Sequence, residues 1–256
     1  MNSPAGRAEL HKKIDALGLY EIGVVNEFAD ALLTPVVEEL LDKSWLTTSE
    51  WSRAFLARLR AHHALSREPL STTQFEAAFE NACEAAGWTV ESAVSATQRF
   101  FDTKVTIPGK PSKRISLKAT SARAMSKSSV HISKLTEAAW IQDVRRQVDR
   151  RDKIIELFRE YRETCDAIVI LRGFVRDRGV LYELIEIPTD LFGPIDYLDT
   201  ATAQLATIPV PPNSDHPYIK IRIDRSDSKI TVTQILLAVC AVHARWVLTA
   251  REPRNS

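Results

Sequence analysis

The stretch that most limits what this chain can become lies at 166–173, DAIVILRG, followed closely by 180–187, VLYELIEI. Residues 167–171 are apolar without interruption, and a strand that lacks polar alternation has to be covered on both faces. Two such strands, close together, set up the middle of a sheet that needs a layer on either side.

The rest of the sequence supplies those layers. Residues 8–17 and 23–41 carry apolar side chains at three- and four-residue spacing (Val24, Phe28, Leu32, Val36, Val37 and Leu40 in the second), which predicts helices. A third helix is expected over 49–64, capped by Thr48 or Ser49, with Trp51, Phe55, Leu56 and Leu59 on its apolar side. Arg67-Glu-Pro-Leu70 breaks the pattern. Residues 1–70 therefore read as a helical N-terminal region that packs on the core, joins subunits or contacts a ligand, and 71–256 as the core itself. The core opens with a helix over 74–86, where Thr73-Gln-Phe-Glu76 fits a capping box and Gly87 marks the end. Strands are expected at 88–94 and 98–107, a turn at 108–113, a strand at 114–120 and a loop rich in Ser, Ala and Lys at 121–130. A long helix over 132–163, with a heavily charged second half, leads into the two central strands. Beyond them come a loop-rich 188–212, an alternating strand at 219–224 and a closing amphipathic helix at 231–249. This order predicts an α/β fold, a central mixed sheet flanked by helices.

At 256 residues the chain can bury a full core, and 45% apolar with 26% charged residues is ordinary for a globular protein. Cys83, Cys165 and Cys240 are odd in number, far apart and free of any CxxC spacing, which reads as buried free thiols in a reducing compartment. The first 13 residues are polar and charged rather than an apolar leader, and the longest apolar run, 235–242, is too short to span a bilayer. A cytoplasmic protein without a membrane segment is expected.

A net charge of +1 hides a segregation of signs. Between Asp102 and Glu137 there is no Asp or Glu, yet there are eight Lys or Arg residues and one His. Carboxylates only at the two ends of a cationic stretch suit the reception of a polyanion. This is the expected active site of a metal-dependent nuclease.

The order of helix, strand with Asp, strand with x-x-Lys, helix and strand over about 74–187 resembles the PD-(D/E)xK nuclease core. That core is shared by many restriction endonucleases and by archaeal Holliday-junction resolvases. By this resemblance Asp102 is a metal-binding acid near a turn, Lys118 is the motif lysine, and Glu76, eleven residues before Gly87, is the acid of the first helix. The carboxylate expected two residues before the lysine is Ser116 instead. Ser-x-Lys resembles the restriction enzymes that cut CCGG- and CCWGG-type sites, where the following helix supplies the missing acid. The candidate for that acid here is Glu137, on the expected helix 132–163.

The resemblance implies a magnesium-dependent, site-specific endonuclease of the type II restriction class, acting on double-stranded DNA as a homodimer or dimer of dimers. Mg2+ takes hard oxygen ligands and keeps several waters, so Asp102 and Glu137 would suffice as protein ligands. Lys118, two residues along the strand from Ser116, shares its face and can orient the attacking water. Ser116 can hold a metal-bound water, and Glu76 stands outside as a further acid. Each residue also has a plainer reading. Asp102 is a strand-end carboxylate, Lys118 an edge gatekeeper, Glu137 a helix first-turn acid and Glu76 a capping partner. Arg123, Lys127, His131 and Lys134 are expected along the DNA path as phosphate contacts. Arg222 and Arg225 are candidate base contacts, since a bidentate Arg–guanine pair is the commonest specific contact. Arg145, Arg146, Arg150 and Arg151 read as a salt-bridged helix face, and His62-His63 as helix surface. A junction- or damage-directed nuclease of the same fold and an inactive DNA-binding module remain the alternatives.

Overall fold

A computed structural model describes residues 4–40, 44–92, 100–122, 126–177 and 179–249. Helices α1 (Pro4–Asp15) and α2 (Leu19–Leu33) stop at Thr34-Pro35. Proline ends a helix and drives the preceding residue to extended backbone, and Thr34 sits at φ −61°, ψ 129°. The chain continues as strand β1 (Val36–Leu40), so the expected helix over 23–41 is corrected beyond Leu33, and Leu41 lies outside the described residues. Helix α3 (Ser49–Leu65) is capped by Thr48, which accepts from the Trp51 N–H. Helix α4 (Thr72–Ala85) is capped two residues earlier than expected, by a reciprocal box of Ser71 and Gln74. Glu76 is therefore no capping partner. Gly87, at φ +76°, ends this element as expected.

Strands β2 (Thr89–Ser92), β3 (Thr103–Thr106) and β4 (Lys113–Ala122) follow, the last two joined by a turn with Gly109 at φ +77°. The long helix expected over 132–163 is corrected next. Residues Ser129–Glu137 form strand β5, Ala139–Gln142 a short 3-10 turn, and only Gln147–Thr164 is helix α5. Val130 and Ile132 are buried around an exposed His131, the two-residue period of a strand. Strands β6 (Ala167–Arg176) and β7 (Gly179–Pro188) are the two apolar stretches of the sequence. After 3-10 turns at Thr189–Tyr197 and Thr202–Gln204 come β8 (Thr207–Val210), β9 (Ile219–Asp224), β10 (Lys229–Leu236) and β11 (Ala241–Thr249). The closing helix expected at 231–249 is thus a pair of strands. Ile230, Val232 and Ile235 in one, and Ala244, Trp246 and Leu248 in the other, are the buried positions.

Among the described residues the strands form a central sheet ordered β1-β11-β7-β6-β4-β3-β2 and a second sheet ordered β5-β10-β9-β8. Only β4 and β6 run parallel in the central sheet, which makes it mixed, as expected. Alternation along β6 and β7 divides the core. Val169, Leu171, Tyr182 and Leu184 face α3 and α4 through Trp51, Phe55, Phe75 and Phe79. Ile168, Ile170, Ile185 and Ile187 face α5 and the second sheet through Ile154, Phe158, Ile221 and Val232. The α3 helix and strand β1 belong to the N-terminal region, yet both pack within the first of these clusters. Cys83 and Cys165 are buried free thiols, while Cys240 is only half-buried. No described helix is long and apolar enough to cross a membrane.

Candidate active site

The site grows from a fork in the central sheet. Strand β3 pairs with β4 only from Thr103–Ile115 to Val105–Lys113, whereas β4 runs on beside β6 as far as Ala122. Past Ile115 the β3 side of β4 has no strand partner, and Asp102 takes that place. Its N–H donates to the Ile115 carbonyl at 2.9 Å, and its Oδ2 accepts from the Leu117 N–H at 2.6 Å. The same oxygen accepts from Ser116 Oγ and Lys118 Nζ, each at 3.2 Å. One carboxylate oxygen is saturated by three donors, while Oδ1 accepts no hydrogen bond from the described residues. Lys118 also donates to the Leu117 carbonyl at 3.1 Å, and its side chain is 24% exposed, so it is held at a surface and remains reachable.

Glu76, on α4, lies within electrostatic reach of both. Partial burial pushes its carboxyl above the usual range, Asp102 adds to the rise, and Lys118 pulls it back. A carboxyl held partly protonated beside a second acid and a lysine is a set that a hydrated divalent cation would relieve. No group of three or more His, Cys, Asp or Glu is placed to share an ion among the described residues. A cation here would rely on two carboxylates, backbone oxygen and water.

Ser116 is buried and spends its hydroxyl on Asp102, so it positions that acid. Behind it sits Tyr161 of α5, a residue the sequence gave no reason to single out. Its buried phenol is pushed well up by desolvation, with Cys165 and Asp102 adding to the shift. Only the packing of α5 under β4 reveals it.

Lys118 also opens onto a cleft of about 350 Å³, lined by Thr72, Lys118, Thr120, His131, Ser133 and Lys134 among others. Its walls are β4 and β5, and its exposed groups are cations and hydroxyls. His131 and Lys134 are brought to Lys118 as the charge pattern suggested. Lys127 is exposed in the turn before β5, and Arg123 lies outside the described residues. Arg222 is exposed on β9 and Arg225 in the β9–β10 turn, away from the fork.

Glu137 is the site residue the structure does not bring to this cluster. Its expected helix is absent; it ends strand β5, with its side chain 77% exposed and bonded to Lys134 Nζ at 2.6 Å. That hydrogen bond and charge hold its carboxyl below the usual range, and neither Asp102 nor Lys118 contributes. Arg146 and Arg151 are salt-bridged, to Asp149 and Asp152, as a charged helix face requires, whereas Arg145 and Arg150 make no salt bridge among the described residues. The ring nitrogens of His62 and His63 bond to the Glu68 and Ser66 carbonyls and to the Tyr182 hydroxyl, which makes them structural.

No solved structure matches the chain. A curated relative, the type II restriction enzyme SmaI of Serratia marcescens, is 28% identical over 206 residues, covering 74% of this chain and 76% of the relative. Residues 10–200 match the family model of SmaI, type II site-specific deoxyribonuclease, a span that holds α2 to α5, the fork and both central strands. The chain belongs to the SmaI family of type II site-specific deoxyribonucleases, and it is a restriction endonuclease that binds and cuts double-stranded DNA.

Proposed function

We propose that this endonuclease works as a PD-(D/E)xK-type enzyme with a Ser-x-Lys variant motif, and that it requires Mg2+. The observation that carries the reading is the convergence of Ser116, Leu117 and Lys118 on one oxygen of Asp102, while the other oxygen accepts no hydrogen bond from the described residues. Asp102 would hold the ion, and of the two second acids the sequence offers, Glu76 has the support of position. Bound there, Mg2+ supplies charge neutralisation at the scissile phosphate and an acidified water. Asp102 is kept in register by the β4 backbone. Lys118, fixed between Asp102 and the Leu117 carbonyl, orients the attacking water and stabilises charge on the phosphate oxygens. His131 and Lys134 hold the DNA backbone in the cleft beside it, with Lys127 and Arg123 further along the same basic stretch.

Each chain has one such cluster and a duplex has two strands, so a homodimer cutting a palindrome is the assembly proposed, within the cytoplasm of the host cell. Arg222 and Arg225 are the proposed contacts of the second sheet with DNA. Incubation with plasmid and magnesium, followed by cleavage mapping, should give discrete double-strand cuts at one short sequence. Asp102→Asn and Lys118→Ala should each abolish cutting, by at least a thousandfold, while retaining binding of a duplex carrying that sequence. Cutting that persists in Asp102→Asn would overturn the assignment of the centre.

A further inference from the structure

A second cationic site stands at the far end of the second sheet, outside the fork. The turn between β9 and β10 is pinned to the 3-10 turn at Ala139–Gln142, because the Gln142 amide donates to the Arg225 carbonyl and to Ser228 Oγ. This sets Arg225 beside the first turn of α5, where a pocket of about 80 Å³ is lined by Trp140, Arg145, Arg146, Arg150, Ile223 and Arg225 among others. Arg146 is neutralised by Asp149 at 2.6 Å. Arg145, Arg150 and Arg225 have no carboxylate partner among the described residues. The Arg150 Nε is buried and donates no hydrogen bond.

Partial burial lowers the pKa of the Arg150 guanidinium, and the charge of Arg225 lowers it further. A partly buried cation that faces another cation is costly, and an arriving anion removes that cost. The first turn of α5 adds to the field, since its N-cap, Arg146, makes no side-chain cap hydrogen bond and leaves N–H groups open at the positive end of the helix. At about 80 Å³ the pocket has room for one tetrahedral oxyanion.

We infer that this arginine pocket binds one phosphate group of the DNA backbone, at a distance from the cutting centre. The inference rests on the endonuclease reading above and adds a contact to it. Both sites use the second sheet: β5 contributes His131 and Lys134 to the cleft, and the β9–β10 hairpin contributes Arg225 to the pocket. Lys134 bonds Glu137, which stands opposite Lys229 at the base of that hairpin, so the two sites follow one another along β5 and its neighbours. The contact is to phosphate, so it would strengthen binding to any duplex without reading its sequence.

The test is duplex binding without divalent cation, across a range of salt, for the full-length chain and for Arg225→Gln, Arg150→Gln and Arg150→Lys. Arg225 lies in an exposed turn, so its substitution leaves the fold intact even where Arg150→Gln does not. Arg225→Gln should weaken binding of the cognate and an unrelated duplex by the same several-fold factor, and lower the slope of log K against log salt by about 1. Arg150→Lys, which keeps the charge, should keep the slope. An unchanged affinity and slope in Arg225→Gln would overturn the inference. It would equally be overturned if inorganic phosphate raised the melting temperature of the parent protein but not of Arg225→Gln while duplex binding stayed the same, since the pocket would then serve free phosphate. Because this binding is read without cleavage, a failure of the nuclease reading would show separately, as a parent protein that does not cut DNA.

Discussion

At the scale of single residues, Asp102 is both a structural and a chemical group. Its carboxylate ends the pairing of β3 with β4 by bonding the Leu117 N–H, and its other oxygen accepts no hydrogen bond from the described residues. Asp102, Ser116 and Lys118 were singled out by their resemblance to the PD-(D/E)xK motif, and the two-residue period of a strand added only that Ser116 and Lys118 share a face. Glu76 was named by the same resemblance and lies near Asp102 and Lys118, while its expected capping role falls to Gln74. Glu137 was misplaced because its assignment depended on a helix that does not form. The two acids separate experimentally. Glu76→Gln should lower the cleavage rate at saturating magnesium by about a hundredfold, in the range of a lost catalytic carboxylate contact. Glu137→Gln should cost less than a few-fold, and a plasmid cleavage time course with each variant measures both. Loss of cutting in Glu137→Gln alone would move the second acid to β5.

At the scale of elements, charge crosses the sheet as a ladder. Arg172 on β6, Glu183 on β7, Arg245 on β11 and Glu39 on β1 are register partners on four neighbouring strands, and alternate in sign. Arg172 and Glu183 meet at 2.7 Å with side chains only 5% and 2% exposed. Removing one partner leaves a buried, unpaired charge, so Glu183→Ala should destabilise the fold by about 3–5 kcal/mol, read as a shift of the denaturation midpoint. Exposed Arg245–Glu39 should contribute little by comparison. Gly173 shows a different constraint on β6. A Cβ there would come within 2.4 Å of the Pro69 side chain, the residue that breaks the helical pattern before α4. Gly173→Ala should cost about 1–3 kcal/mol through overpacking, measured by thermal unfolding.

At the scale of the molecule, the segment before α3 is joined to the central sheet by polar contacts as well as by packing. Glu186 on β7 accepts from Trp45 and from His243 on β11, and pairs with Lys113 on β4. Burial works to raise its carboxyl, but His243, Trp45 and Lys113 together outweigh that and hold it below its ordinary value. A depressed folded-state carboxyl gives stability that is present above the unfolded value and lost as pH falls through the folded one. Glu186→Gln should therefore melt at a lower temperature than the parent at pH 7, and the difference should narrow below about pH 4. Parallel thermal melts across that range measure it. The exposed apolar residues of α2 and β1, including Leu19, Tyr20, Leu33 and Val37, give a second copy a surface to cover. The proposed homodimer predicts twice the chain mass in light scattering, and a shift to monomer on placing charge at Leu33 and Val37.

The sequence alone determined the two central strands, α3, α4 and the β3–β4 hairpin. Those features follow from local signals: unbroken apolar runs, caps, a glycine at positive φ and the two-residue period of a strand. Tertiary structure decided the segments 129–137 and 229–249. Their apolar spacing fits a helix or a strand equally well, and the choice rests on hydrogen-bond partners distant in sequence. Strand β5 is fixed by β10, about a hundred residues later, and β11 by β1 and β7. No local pattern encodes a partner that far away, so the second sheet, the cleft it walls and the arginine pocket at its end exist only once the chain has folded.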